Sequence, residues 1–233
     1  MFKNIAAYGW MLIDGVILTI EIALLSFMVA ILFGLIGAYG KLGRSRINRF
    51  IANCYTVIIR GIPEYVLLLV LYYQGAQLIR SIVSLWSEPQ GFIEINSFIA
   101  GFITLGFVYG AYATEAFRGA ILAIPKGQVE AAYACGMSRW LMARRILVPQ
   151  MWRFALPALG NIWLILLKST AIISLIGLEE LTRKSRIAGG ATRDPLLFFG
   201  IAAIMYLLLT VVSTFVIKYL EHKNNYERRK PGI

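Results

Sequence analysis

The residues best suited to chemistry are carboxylates and hydroxyls embedded in apolar runs. Glu64 follows Arg60-Gly61-Ile62-Pro63 in one such run, Glu21 and Glu115 lie in two others, and Lys168-Ser169-Thr170 sits in a fourth. A carboxylate so placed binds cations through charge-assisted hydrogen bonds, and a charge at bilayer depth is costly enough to mark function. Ser169 and Thr170 offer hydroxyls to the polar ends of a small ligand, or else bond back to their own backbone or a neighbouring helix. Lys168 either attracts a carboxylate or neutralises Glu21 or Glu115. The sequence does not choose between these.

Other chemistries lack their parts. There is no paired-acid, Ser/Lys or HExxH arrangement, and the one histidine, His222, lies in a charged tail, so general acid-base and metal catalysis are unsupported. Cys54 and Cys135 have no second Cys or His at ligand spacing, which argues against a disulfide framework or a zinc site. No GxxxxGK[ST] phosphate loop occurs, so any nucleotide must be bound by another chain.

The elements that carry these residues are membrane spans. The 233 residues are 59% hydrophobic and 15% charged, with a mean hydropathy of +0.71, against about half apolar and about a quarter charged in soluble domains. No polar or Pro/Ser-rich linker divides the chain, so residues 1–233 read as a single membrane domain. A hydrocarbon core of about 30 Å needs ~20 helical residues. Five runs qualify: Gly15 to Gly40, Phe50 to Tyr73, Ser97 to Phe117, Phe154 to Leu178 and Leu196 to Ile217. The expected fold is all-α with five transmembrane helices.

Charge sets the orientation. Fifteen Lys and Arg follow span one, separate spans three and four, or end the chain, against six on the other side. The positive-inside rule then puts the N-terminus outside and the C-terminus in the cytoplasm, and the net charge of +11 is a topology signal rather than a nucleic-acid footprint. The segment Glu179 to Pro195 is unusually basic for an external loop. Tyr72, Tyr73 and Trp86 read as outer interfacial aromatics, and Gly34, Gly37, Gly101, Gly106 and Gly110 as points of close helix approach. Five spans without an internal repeat do not make the matched halves of an inverted-repeat carrier, so a copy or a homologue is needed to complete a pathway.

The second span should be broken. Pro63 lacks a backbone N–H and disfavours helix at Ile62, which predicts an interruption over Arg60-Gly61-Ile62-Pro63 and a restart with Pro63 at the first helical position. Glu64, fifteenth in a run of twenty-four, then lies near the midplane, where irregular backbone is tolerated only against protein or a watery cavity. It either contacts a ligand there, or caps the restarted helix or pairs with Arg60.

The stretch Ala123 to Gln150 predicts two short helices outside the bilayer, the first opened near Pro125 and the second closed before Pro149, with Gly136 as a left-handed break. Val129, Tyr133, Met137, Trp140 and Leu141 give it an apolar face, which suits either lipid headgroups or a partner's groove.

Glu130-Ala131-Ala132, three residues, Gly136, nine residues, Ile146, one residue, Val148 and Pro149 resemble the EAA motif of ABC importer permeases, EAA-x3-G-x9-I-x-L-P, with Val148 in place of the usual Leu. Arg60-Gly61-Ile62-Pro63-Glu64 resembles the RGxP segment of polar amino acid permeases of the histidine permease type. The runs AYATEAFRGAILAIPKGQ from Ala111 and LGNIWLILLKSTAIIS from Leu159 are similar to further segments of that family, and together they look most like its Q-type subunits.

The resemblance implies a type I ABC importer permease in the bacterial inner membrane. It carries cationic amino acids (arginine, lysine, ornithine, histidine) or, alternatively, opines or other polar amino acids. The implied partners are a cytoplasmic ATPase dimer, an extracytoplasmic binding protein, and a related permease or a second copy. ATP and Mg would be bound by the ATPase and no cofactor by this chain, which is then no enzyme itself. The implied coupling residues are Glu130, Ala131, Ala132, Gly136 and Pro149. Glu64, with Ser169 and Thr170, becomes the expected substrate contact, since the resemblance places an acid here in subunits handling cationic amino acids. An intramembrane enzyme or a bare scaffold remains the competing class.

Overall fold

The computed structural model describes residues 2–84 and 96–226; Trp86 and the tail residues Arg228, Arg229 and Lys230 lie outside them. Apolar runs with few breakers give an all-helical chain: α1 (Phe2–Leu42), α2 (Arg46–Gly61), α3 (Glu64–Val83), α4 (Ser97–Leu122), α5 (Lys126–Ala134), α6 (Arg139–Met142), α7 (Val148–Ser169), α8 (Leu181–Thr192) and α9 (Pro195–Tyr226). A π-helical turn, Ala143–Leu147, joins α6 to α7, and a 3-10 segment, Thr170–Ile176, continues α7. Among the described residues, four helical stretches are long and apolar enough to cross a membrane, and α2 with α3 makes a fifth if that bent pair is one span.

The second span breaks where the sequence predicts it, and the chain bends by 108° there. One detail differs. Pro63 precedes α3 instead of starting it, and its carbonyl accepts from the N–H groups of Val66 (3.0 Å) and Leu67 (3.2 Å), so proline serves as the cap residue of a helix whose first position is Glu64.

The core forms between α1, α4 and α7, where Ile22, Ala30, Leu105, Phe117, Ala155 and Leu166 are buried together. Glycine sets the separation of α1 and α4. A Cβ on Gly37 would lie 2.2 Å from Thr114 Oγ1, and one on Gly106 2.5 Å from Val29, so any side chain there would push the helices apart. These contacts rise together in sequence number, so α1 and α4 run parallel and enter from the same side.

Two further expectations need correction. The second helix of the 123–150 stretch does not close before Pro149. The chain runs helically from Arg139 through Ile176, with Pro149 in the first turn of α7. The proline ring would clash with the carbonyl four residues back, and the π turn widens the helix there, with Val148 N–H bonding to Ala143 five residues earlier.

The basic segment after Glu179 is not a plain loop. It forms α8, which buries Leu181, Ser185, Ala188 and Gly189 in a small second core with Leu12 and Phe198. Two of its charges are engaged: Lys184 Nζ lies 3.8 Å from Asp14 and Arg183 donates to the Ser174 carbonyl at 3.3 Å.

Candidate functional site

The helix break aims Glu64 at the middle of the bundle. Ser169 Oγ donates to Glu64 Oε1 at 2.9 Å, and Tyr109 Oη donates to the same oxygen at 3.2 Å. The two hydroxyl oxygens are 2.7 Å apart. Tyr109 is the thirteenth of the twenty-six residues of α4, so this cluster lies at mid-span, as the position of Glu64 in its own run suggested. It draws together three helices: α3 supplies the carboxylate, α4 the phenol, and the last residue of α7 the serine.

Proton counting defines what the cluster can accept. Two hydroxyls bring two protons to three short O···O contacts, so one contact lacks a proton at any instant. Among the described residues, Glu64 has no ion pair. Its side chain bonds across to α4 and α7 rather than to the N–H groups of its own helix start, so neither the capping role nor the pairing with Arg60 describes this geometry. Both hydroxyls reach Oε1, so among the described residues Oε2 is left as an acceptor for an N–H cation.

Arg60 instead sits over the Tyr112 ring, 5.0 Å from its centroid, at a distance suited to a cation–π contact. Tyr112 and Tyr109 are themselves 5.8 Å apart. An aromatic pair thus separates the guanidinium from the carboxylate.

The other candidate residues are placed as follows. Thr170 is fully buried, and its hydroxyl donates to the Leu167 carbonyl at 2.8 Å, the back-bonding alternative. Lys168 is exposed and makes no ion pair among the described residues. Glu115 is held by Lys41 and by Arg118 Nε, the latter at 2.8 Å, so Lys168 is not its counter-ion. Glu21 faces outward from α1.

Tyr109 escaped the sequence reading altogether. Its only signal was a phenol at the centre of an apolar span, where the hydroxyl needs a partner. Glu180 was missed as well. It caps α8 by accepting from the Thr182 N–H (2.9 Å) and the Arg183 N–H (3.0 Å), and it takes the Tyr206 hydroxyl at 2.9 Å.

A second surface lies at the opposite end of the chemistry. α5 closes in a Schellman turn, with Gly136 at φ +73° and Met137 N–H bonding to the Ala132 carbonyl at 3.0 Å. Ala132 is buried beneath the helix, whereas Glu130, Ala131 and Gly136 are exposed. Tyr133 and Trp140 are 50% and 76% exposed, an unusual display of aromatic area beside a charged loop. Gln150 Nε2 bonds to Gln128 Oε1 at 2.5 Å and fastens α5 to the base of α7. Pro149 lies in that same first turn of α7, the helix that ends at Ser169.

The chain is similar to proteins of one kind. It is 44% identical to the histidine/lysine/arginine/ornithine transport system permease protein HisQ of Escherichia coli, over 93% of this chain and 95% of that protein. It is 40% identical to the nopaline transport system permease protein NocQ of Agrobacterium fabrum, over 89% and 88%. Among solved structures, it superposes on a chain of an amino acid ABC transporter crystallised with histidines at a TM-score of 0.80 and 30% identity, covering 96% of this chain and 98% of that one. Residues 30–226 match the family described as binding-protein-dependent transport system inner membrane component. With that match covering most of its length, the chain belongs to the inner-membrane permease family of binding-protein-dependent transporters.

Proposed function

We propose that this chain is a permease subunit that imports cationic amino acids, with Glu64 receiving the substrate's charged side chain at mid-span. The observation that carries this reading is the Glu64–Tyr109–Ser169 cluster, a carboxylate that among the described residues has no ion-pair partner and keeps Oε2 without a hydrogen bond. An ammonium, guanidinium or imidazolium fills that deficit by charge-assisted bonding. Ser169 belongs to the contact set. Thr170, its hydroxyl committed to the Leu167 carbonyl, does not. The named substrates of the relatives, histidine, lysine, arginine and ornithine in one and nopaline in another, favour the same class of ligand. An opine is the second reading, favoured by the latter.

In this proposal a binding protein delivers substrate from outside. A separate ATPase dimer, holding ATP and Mg, engages Glu130, Ala131 and Gly136 on the exposed α5 turn, while Ala132, buried beneath it, seats the turn on the permease. A related permease or a second copy supplies the other half of the pathway. Because α5 is tied to α7 at Gln128 and Gln150, ATPase movement at the loop reaches Ser169 through one helix. Uptake of labelled arginine, lysine, ornithine and histidine in a strain lacking this chain tests the reading. Loss of uptake of these four supports it, and unchanged uptake of all of them contradicts it.

A further inference from the structure

The basic segment after Glu179 is costly on the outer side of a membrane protein, and one of its cations is poorly satisfied. Lys184 lies beside Asp14, but Arg183 turns elsewhere. α8 buries Leu181, Ser185, Ala188 and Gly189 on one face. At about 100° per residue Arg183 points away from that face, toward the 3-10 segment Thr170–Ile176, where its Nη1 donates to the Ser174 carbonyl at 3.3 Å. Its Nε is buried without a hydrogen-bond partner, and among the described residues no carboxylate pairs with it. A guanidinium carries five N–H donors and no acceptor, so one bond to a carbonyl leaves this cation short of an anion. The residue as a whole is half-buried, within reach of a ligand.

The 3-10 segment leads from the Glu64 cluster to this arginine. Ser169 holds Glu64 at its foot, and Ser174 lies five residues on, a rise of ~10 Å. On the orientation that the basic residues give, α7 runs outward. Ser97, the first residue of α4, donates to the Ile176 carbonyl at 2.8 Å, so Arg183 stands toward the outer end of the bundle. An extended arginine molecule with a hydrogen bond at each end reaches ~13 Å, which is on the scale of that separation.

We propose that Arg183 receives the α-carboxylate of the incoming amino acid while Glu64 takes its cationic side chain. This rests on the substrate reading above and adds that the ligand is read at both ends. The planar fork of a guanidinium matches a carboxylate, and the α-carboxylate is the one group that all amino acid substrates bring with the required charge. A basic segment on the outer side then has a use, as the first positive charge that a substrate meets on its way to mid-span.

The test is calorimetric binding of arginine and of agmatine, its decarboxylated form, to the purified permease–ATPase complex. The two ligands share the guanidinium and differ at the carboxylate. The wild-type complex should favour arginine by about tenfold or more, the gain from one charge-assisted contact. Arg183→Gln should lower the affinity for arginine about tenfold and leave that for agmatine unchanged. Arg183→Lys, which keeps the charge without the fork, should lose less. Equal affinities in the wild type contradict the proposal. So does an equal fall for both ligands in Arg183→Gln, the signature of an arginine that only braces the Ser174 carbonyl. If that variant fails to assemble, Arg183→Lys decides, and an unchanged arginine-to-agmatine ratio contradicts the proposal. Glu64→Gln should weaken both ligands. If it weakens neither, the substrate reading fails, whereas the Arg183 variants still report on the carboxylate alone.

Discussion

Ser169, the last residue of α7, hydrogen-bonds at 2.9 Å to Glu64, the first residue of α3. The contact joins the helix that begins beside α5 to the break before α3, so in the proposed mechanism the substrate site and the ATPase contact share one element. Its removal should be felt in transport more than in folding. A hydrogen bond to a charged group contributes about 1.5–3 kcal/mol. Ser169→Ala and Tyr109→Phe should each lower substrate-stimulated ATPase activity or apparent affinity by about tenfold, with normal insertion. Wild-type activity in both variants would remove the cluster from the mechanism.

The exposed α5 turn predicts a separable coupling defect. Gly136 is left-handed, at φ +73°, a conformation that costs a non-glycine residue roughly 1 kcal/mol or more. Gly136→Asp and Glu130→Lys should abolish or strongly weaken co-purification of the ATPase while the permease still inserts. Normal co-purification and uptake in both variants would place docking elsewhere.

Glu180 should give the folded chain a pH signature. Burial pushes its carboxyl above the ordinary range, against the opposing hydrogen bonds from Thr182, Tyr206 and Arg183. A carboxyl whose folded pKa is raised contributes stability below the unfolded value of about 4.3, and that contribution is lost as pH rises through the higher folded value. Thermal stability of the detergent-solubilised protein should therefore fall over that interval, and Glu180→Gln should flatten the fall. An identical pH profile in the variant would contradict this.

The orientation makes a mapping prediction from fifteen basic residues against six. Single cysteines near Gln90, outside the described residues, should react with impermeant reagents in intact cells. Those near Lys223 should not. The reverse pattern would turn the permease over and take α5 away from any ATPase.

How much of this could be read from the chain depends on the kind of signal. Span number, the break before Glu64 and the left-handed Gly136 were legible because apolar length, proline and glycine act locally. Glu64 and Ser169 could be singled out, but not their contact, since 105 positions separate them and pairing across helices leaves no local trace. Tyr109 was hidden because a tyrosine within an apolar run looks like packing until its hydroxyl finds a partner. α8 was overlooked because its buried face is made of small residues, Ser185, Ala188 and Gly189, and its charges dominated the composition. The helix continuing through Pro149 was missed because a π turn has no sequence signature that overrides proline.

The most direct test of the central claim is substrate-stimulated ATPase activity of the reconstituted complex carrying Glu64→Gln, measured with arginine, lysine and histidine. The amide keeps size and hydrogen bonding but removes the charge. A charge-assisted bond is about twice as strong as a neutral one, and ~1.4 kcal/mol is tenfold in affinity. Stimulation by arginine and lysine should fall about tenfold or more, and that by histidine less near neutral pH, where its imidazole is only partly protonated. Equal, modest losses for all three would contradict the account and leave Glu64 a structural residue of the helix break.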